Sequence, residues 1–341
     1  MARRWLMLPL PAGKPWHGGT PYAEALGGSE SAVAFLAQAL YRQGEEVTVL
    51  SHGAPGVAPT NFMGVNYILT CDQAMNEMVQ RPWDVVLSSR WVEALGAPWN
   101  TKVKLFWTHD LPQVPTLNIN AHKAVCLSKF HAGAWQLPSE SVEIIGDGIE
   151  LTHYRSILKM EERNQNKVLW ISNPDRGLAL AAKIFQQVRQ RWPDLELHVY
   201  GRASVYGWPP EQELPFLPRR DHMQNVFLHD PLNKMGLARE LGTAWAVFYP
   251  TFWPETYCIA TLEAQAAGTP VIASPYGALN ETVRGGILTY DFLNAFSQLR
   301  NKRRWTKLSE TGREWAIANT WDVRAEQWIK LVEEVSNGPS Q

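Results

Sequence analysis

Trp253-Pro254-Glu255-Thr256-Tyr257-Cys258-Ile259-Ala260-Thr261-Leu262-Glu263-Ala264-Gln265-Ala266-Ala267-Gly268-Thr269-Pro270-Val271-Ile272-Ala273-Ser274 decides how the rest of the chain is read. Glu255 and Glu263 bracket what reads as the first turns of a helix, which stops at Gly268 and runs into a short apolar strand. The first amides of a helix have no carbonyl partner and favour an anion. An ionised carboxylate only accepts hydrogen bonds and so suits hydroxyl groups. Amides for phosphate beside carboxylates for hydroxyls are what a phosphorylated sugar needs.

Outward from this segment, strand-like and helix-like stretches alternate, which predicts parallel sheets covered by helices. In the first half, strands are expected at 4–10, 46–51, 84–88, 103–108, 123–127 and 142–145, with a helix over 29–43 carrying Val33, Leu36, Ala37 and Leu40. The charged stretch Lys159–Lys167 reads as a linker, after which strands at 167–172, 196–201, 226–229 and 246–250 lead back to the opening segment. The chain has 341 residues, enough for two domains of roughly 150 each. It is 45% hydrophobic and 19% charged, the composition of a packed globular protein. A net charge of −1 and a pI near 6.8 give no global case for nucleic acid or an anionic membrane. Three cysteines without metal-ligand spacing fit a reducing, cytoplasmic setting. The apolar N-terminus is broken by Pro9 and Pro11 and reads as a buried strand rather than a leader, and no stretch has transmembrane length.

Ligands in such folds bind at the carboxyl ends of strands, and three further stretches lie there. Gly27-Gly28-Ser29-Glu30 opens the first long helix, where glycine lets backbone approach a ligand; the plainer reading is a tight turn with Ser29 as N-cap. His109 follows directly on a strand in Trp107-Thr108-His109-Asp110, where the plainer reading is a structural histidine. Ser172-Asn173-Pro174-Asp175-Arg176-Gly177 begins the second half, with Arg176 otherwise a solvated loop cation. For the glutamates the plainer reading is a cap for Glu255 and a solvated helix face for Glu263. The basic run Arg300–Lys307 reads as solvated surface, with contact to membrane lipid or nucleic acid as its functional alternative. There is no Asp-x-Asp, zinc-spaced cluster, G-x-S-x-G elbow or P-loop.

The opening segment resembles the E-x7-E signature of retaining glycosyltransferases of the GT-B fold, family 4 type, and its tail is similar to that family's "EA-small-A-x-G-x-PV" run. The resemblance implies an α/β protein of two Rossmann-like domains with parallel sheets facing a central cleft. These would be an acceptor-side domain at 1–155, a nucleotide-sugar domain at 156–319, and a C-terminal helix in 320–341 that crosses back to the first. It implies transfer of a hexosyl unit from a nucleoside-diphosphate sugar, UDP or GDP favoured, to an acceptor hydroxyl. Retention would follow a front-face route, with no metal or other cofactor. Glu255 would contact donor hydroxyls and Glu263 the ribose diol, with Tyr257, Cys258 and Ile259 offering amides to phosphate or sugar. His109 would contact the donor sugar and Arg176 the pyrophosphate, making His109, Glu255 and Arg176 the catalytic set. Gly27, Gly28, Ser172, Asn173 and Arg202 would complete the donor site. Two positions depart from the pattern: Asn173 stands where the family has a cation, and Cys258 where it usually has glycine. Acceptor choice would fall to the loops 13–25 and 112–120. A glycan, lipid-linked sugar, small molecule, protein or modified nucleic-acid base would each serve as acceptor. An epimerase-like enzyme on the same fold and a degenerate nucleotide-sugar-binding module are the alternatives.

Overall fold

The computed structural model describes residues 2–53, 60–112, 119–155 and 157–337. Part of the loop 112–120 and the end of the 320–341 segment therefore lie outside the described residues. The chain divides into two compact units, one of residues 1–148 with 321–341, the other of 149–320.

In the first unit the strands are β1 (Arg4–Pro9), β2 (Glu46–Ser51), β3 (Thr60–Phe62), β4 (Val65–Leu69), β5 (Trp83–Ser89), β6 (Thr101–Trp107), β7 (Lys123–Cys126) and β8 (Val142–Ile144). They form one sheet in the order β3-β4-β2-β1-β5-β6-β7-β8, parallel except for the β3–β4 hairpin. The helices are α1 (Thr20–Ala23), α2 (Gly28–Arg42), α3 (Asp72–Gln80) and α4 (Lys129–Trp135). Burial on both faces explains the apolar runs Trp5–Leu8 and Val85–Leu87, all at most 1% exposed. The α2 stripe of Val33, Leu36, Ala37 and Leu40 is fully buried. The hairpin has no counterpart in the expected strands. Its turn, Met63-Gly64, takes positive φ at both residues (49° and 84°), the geometry that matches strand twist in a two-residue connection.

In the second unit β9 (Asn164–Trp170), β10 (Glu196–Val199), β11 (Val226–Leu228), β12 (Ala244–Tyr249), β13 (Val271–Ala273) and β14 (Gly286–Leu288) make an all-parallel sheet, ordered β11-β10-β9-β12-β13-β14. Its helices are α5 (Leu178–Arg189), α6 (Lys234–Thr243), α7 (Ile259–Ala266), α8 (Leu279–Thr282), α9 (Phe292–Leu299) and α10 (Lys302–Ile317). The last helix, α11 (Trp321–Asn337), belongs to the first unit, where it lies against α2 and β6. There Trp321 and Trp328 meet the buried Trp107 ring at 6.3 and 5.2 Å.

Two readings of the sequence need correction. The stretch 159–167 is no linker: it holds the start of β9 and one of the best-anchored side chains of the unit. Arg163 is 4% exposed. Its guanidinium donates to the carbonyls of Leu158, Leu241, Ala244 and Ala267 and to Thr269 Oγ1. Burial pulls its pKa down to about 10, yet five acceptors offset the desolvation that an unpaired buried cation would suffer. The unit boundary also falls at 148/149 rather than 155/156. Ile149 bridges to Thr320, and Tyr154 is buried within the second unit. Of the basic run, Lys302, Arg303 and Arg304 are exposed while Trp305 is buried. No described helix is long and apolar enough to cross a membrane.

Candidate active site

Two loops at the carboxyl end of the second sheet are stitched together. After β9 the chain makes one 3-10 turn over Pro174–Arg176 and enters α5 through Gly177 at φ 115°, a conformation that requires glycine. After β12, Thr251 Oγ1 donates to the Arg176 carbonyl (2.6 Å) and accepts from the Trp253 amide (2.9 Å). The Arg176 guanidinium consequently lies over the Trp253 ring, 4.1 Å from its centroid. It is 3.4 Å from Asp175 and 3.6 Å from Glu255 Oε1.

Glu255 is 6% exposed, and its backbone is fixed from both sides: its amide donates to Trp253 O and its carbonyl accepts from Ala278 N. Gly277, at φ 58°, makes this approach possible, since a Cβ there would stand 2.8 Å from the Glu255 amide and carbonyl. Tyr249 donates a short hydrogen bond to Glu255 Oε1 and lies 3.2 Å from Ser172 Oγ. Burial raises the pKa of Glu255, and Arg176 and Tyr249 pull against that rise. The same burial keeps the Tyr249 phenol neutral.

Cys258 caps α7 at φ 73°, a left-handed conformation that accounts for the glycine otherwise found there and costs an L-residue roughly 1–2 kcal/mol. Its thiol is held in the neutral form by burial and by Glu255. Five residues on, Glu263 faces inward at 4% exposure, with Oε1 2.7 Å from Lys234 Nζ at the start of α6. Asn233 caps that helix through Gly236 N. Burial pushes the neighbouring Tyr154 hydroxyl up and the His153 imidazole down, and the charge of Glu263 reaches both.

The structure thus joins Ser172, Arg176 and Glu255 in one cluster, with Cys258 beside Glu255, and sets Glu263 in a second ion pair. Asn173 is buried, its carbonyl accepting from Arg176 N. Tyr257 is buried, and Ile259 is the first residue of α7. Arg202 is held by Glu213 at 2.6 Å. Sequence reasoning missed Tyr249, which closes β12, and Lys234. Their common signal is position at a strand end or helix start.

In the first unit, Gly27 is the N-cap of α2 and Ser29 lies in its first turn. Arg90, one residue past β5, donates to Ser29 Oγ (3.1 Å) and Asp110 Oδ2 (2.6 Å) and pairs with Glu30 at 3.3 Å. It ties the Gly27-Gly28 helix start to the turn that carries His109. That residue takes φ 55°, is 7% exposed, and sits 4.3 Å from the Trp107 ring. Burial, then Arg90 and His131, lower its pKa well below the ordinary value, so the imidazole is neutral at pH 7. Arg90 was also missed; it directly follows an expected strand.

The fold is that of the two-domain GT-B glycosyltransferases. Sucrose-phosphate synthase from Thermosynechococcus elongatus superposes with a TM-score of 0.73 at 18% identity, covering 98% of this chain and 99% of that one. Anabaena HepE in complex with UDP and glucose gives 0.69 at 15%, covering 99% and 100%. Residues 165–309 match the family described as glycosyl transferases group 1. The phosphatidyl-myo-inositol mannosyltransferase of Mycobacterium leprae is 24% identical over 375 aligned positions, 94% of this chain and 97% of the relative. The D-inositol 3-phosphate glycosyltransferase of Arthrobacter sp. (strain FB24) is 27% identical over 179 residues, 50% of this chain but only 41% of its own length. The match to the group 1 glycosyltransferases falls within the second unit.

Proposed function

We propose that the chain transfers a hexosyl unit from a nucleoside-diphosphate sugar to an acceptor hydroxyl, with retention and without a metal. The observation that carries this reading is the pair of buried carboxylates flanking the start of α7, each held by its own cation: Glu255 by Arg176 and Glu263 by Lys234. Glu255 grips hydroxyls of the sugar, Glu263 grips the ribose, and the first amides of α7 face phosphate. Arg176, backed by Trp253, stabilises charge on the leaving diphosphate. No carboxylate here reads as a covalent nucleophile, which favours a front-face route in which the leaving phosphate takes the acceptor proton. Catalysis is then positioning and charge stabilisation. HepE, solved with UDP and glucose, supports a UDP-sugar as the first donor to try.

A second reading, a nucleotide-sugar-binding module without turnover, is favoured by the neutral Asn173 and by the ion pair that already engages Arg176. A thermal-shift screen with UDP-, GDP-, ADP- and TDP-sugars, with and without divalent metal, tests both. Stabilisation by a sugar nucleotide followed by acceptor-dependent release of nucleoside diphosphate supports transfer. Stabilisation without release under any acceptor class supports the module, and no stabilisation at all defeats both.

A further inference from the structure

We infer that Tyr249 is the positioning residue for Glu255, turning its carboxylate toward the donor sugar; this rests on the donor site proposed above. Tyr249 is the last residue of β12 and is 2% exposed. Among the described residues its hydroxyl bonds with Glu255 Oε1 and Ser172 Oγ. An ionised carboxylate can only accept, so the single phenol proton goes to Glu255, and Ser172 must then donate to Tyr249. The chain Ser172 → Tyr249 → Glu255 therefore runs in one direction, across the ends of the neighbouring strands β9 and β12.

Both this bond and the Arg176 contact fall on the same oxygen, Oε1. Oε2 takes part in neither. Two fixed partners on Oε1 set the carboxylate plane, so that Oε2 presents a defined acceptor to a ligand hydroxyl. Arg176 alone, at 3.6 Å, is too long for a hydrogen bond and would leave the plane free to turn. The Tyr249 ring is itself locked against Trp170, centroids 4.8 Å apart, and Trp170 Nε1 is bonded to the Ser172 carbonyl.

The test is isothermal titration of wild type, Tyr249→Phe, Glu255→Gln and the double variant. Ligands are UDP-glucose and GDP-mannose, with UDP and GDP as sugar-free controls. Tyr249→Phe should weaken the sugar nucleotide about tenfold and leave the free nucleotide within about twofold, because only the sugar meets Glu255. On the Glu255→Gln background the same substitution should add nothing. Loss of the phenol bond also removes a force that favours the ionised carboxylate, so the acid limb of kcat/KM should move to higher pH. Ser172→Ala should shift all three readouts the same way by less, and it carries the test if Tyr249→Phe does not fold. Equal weakening of nucleotide and sugar nucleotide, additivity with Glu255→Gln, or an unmoved acid limb would overturn the inference. A wild type that binds none of the four ligands fails earlier and defeats the donor-site reading itself.

Discussion

The second unit draws its buried carboxylates from one run of sequence, and the first assembles its cluster around Arg90 from three distant ones. Glu255, Cys258 and Glu263 lie within nine residues, and their side chains are buried: those of Glu255 and Glu263 are 8% and 5% exposed. Arg90 instead gathers Ser29, Glu30 and Asp110 from the ends of separate elements and stays more open, at 25% exposure with Asp110 at 58%. The difference is one of stakes. A buried charge is expensive to strip of its partner, whereas a half-exposed pair loses little because water replaces it.

Lys234→Met presses hardest on this contrast. It leaves the Glu263 carboxylate in a site built for an ion pair, and stability should fall by about 3–5 kcal/mol, read as the urea midpoint of the second unit. Adding Glu263→Gln should recover most of that loss. A loss below about 1 kcal/mol would place this pair with the surface bridges.

Glu255→Gln should split function from stability. Turnover should fall on the order of 100-fold, as when one fixed polar group is removed from a transition-state site. The apo protein should become more stable at neutral pH, and the sign follows from linkage. Burial raises the pKa of Glu255, so above the ordinary carboxylate range the unfolded chain releases a proton that the native state retains. Wild-type stability therefore declines as pH rises through that window, and the glutamine variant should not share the decline. Apo melting curves between pH 4 and 8 check it.

Arg90→Ala should cost only about 1 kcal/mol, because its partners can turn to water. Hydrogen exchange should show lost protection near residues 27–32 and 108–111 and nowhere in the second unit. A global loss would mean that Arg90 is as deeply engaged as Lys234.

The same contrast explains what the sequence could show. A parallel α/β chain with two halves is legible because strands buried on both faces read as apolar runs between helical periods. The segment 253–274 is legible because its carboxylates, helix and strand are contiguous. Tyr249, Lys234 and Arg90 act through contacts that only the fold brings together, Tyr249 with Ser172 and Glu255, Lys234 with Glu263, and Arg90 with Ser29, Glu30 and Asp110, and no period or spacing marks them. Arg163 misled for a related reason: in a charged stretch it looks like linker, and only the four carbonyls it meets in the fold make it core. The β3–β4 hairpin lacked a signal because Met63-Gly64 is not among the usual turn pairs.

His109 gives the smallest effect and tests whether the more open cluster contains one group as buried as those of the second unit. Its imidazole is neutral in the native state because burial resists the proton, with Arg90 and His131 adding to that resistance. Below about pH 6.5 the unfolded chain gains a proton that the native state refuses, so stability falls as pH falls, by at most about 1.4 kcal/mol per pH unit for this residue. His131, whose pKa burial also lowers, contributes a slope of the same sign. His109→Asn keeps a residue suited to φ 55° while removing the titration. Chemical denaturation at pH 7 and pH 6 should therefore show the variant losing less stability than wild type, by under about 1 kcal/mol. An unchanged pH difference would mean that the His109 imidazole takes up its proton in the folded state as readily as in water.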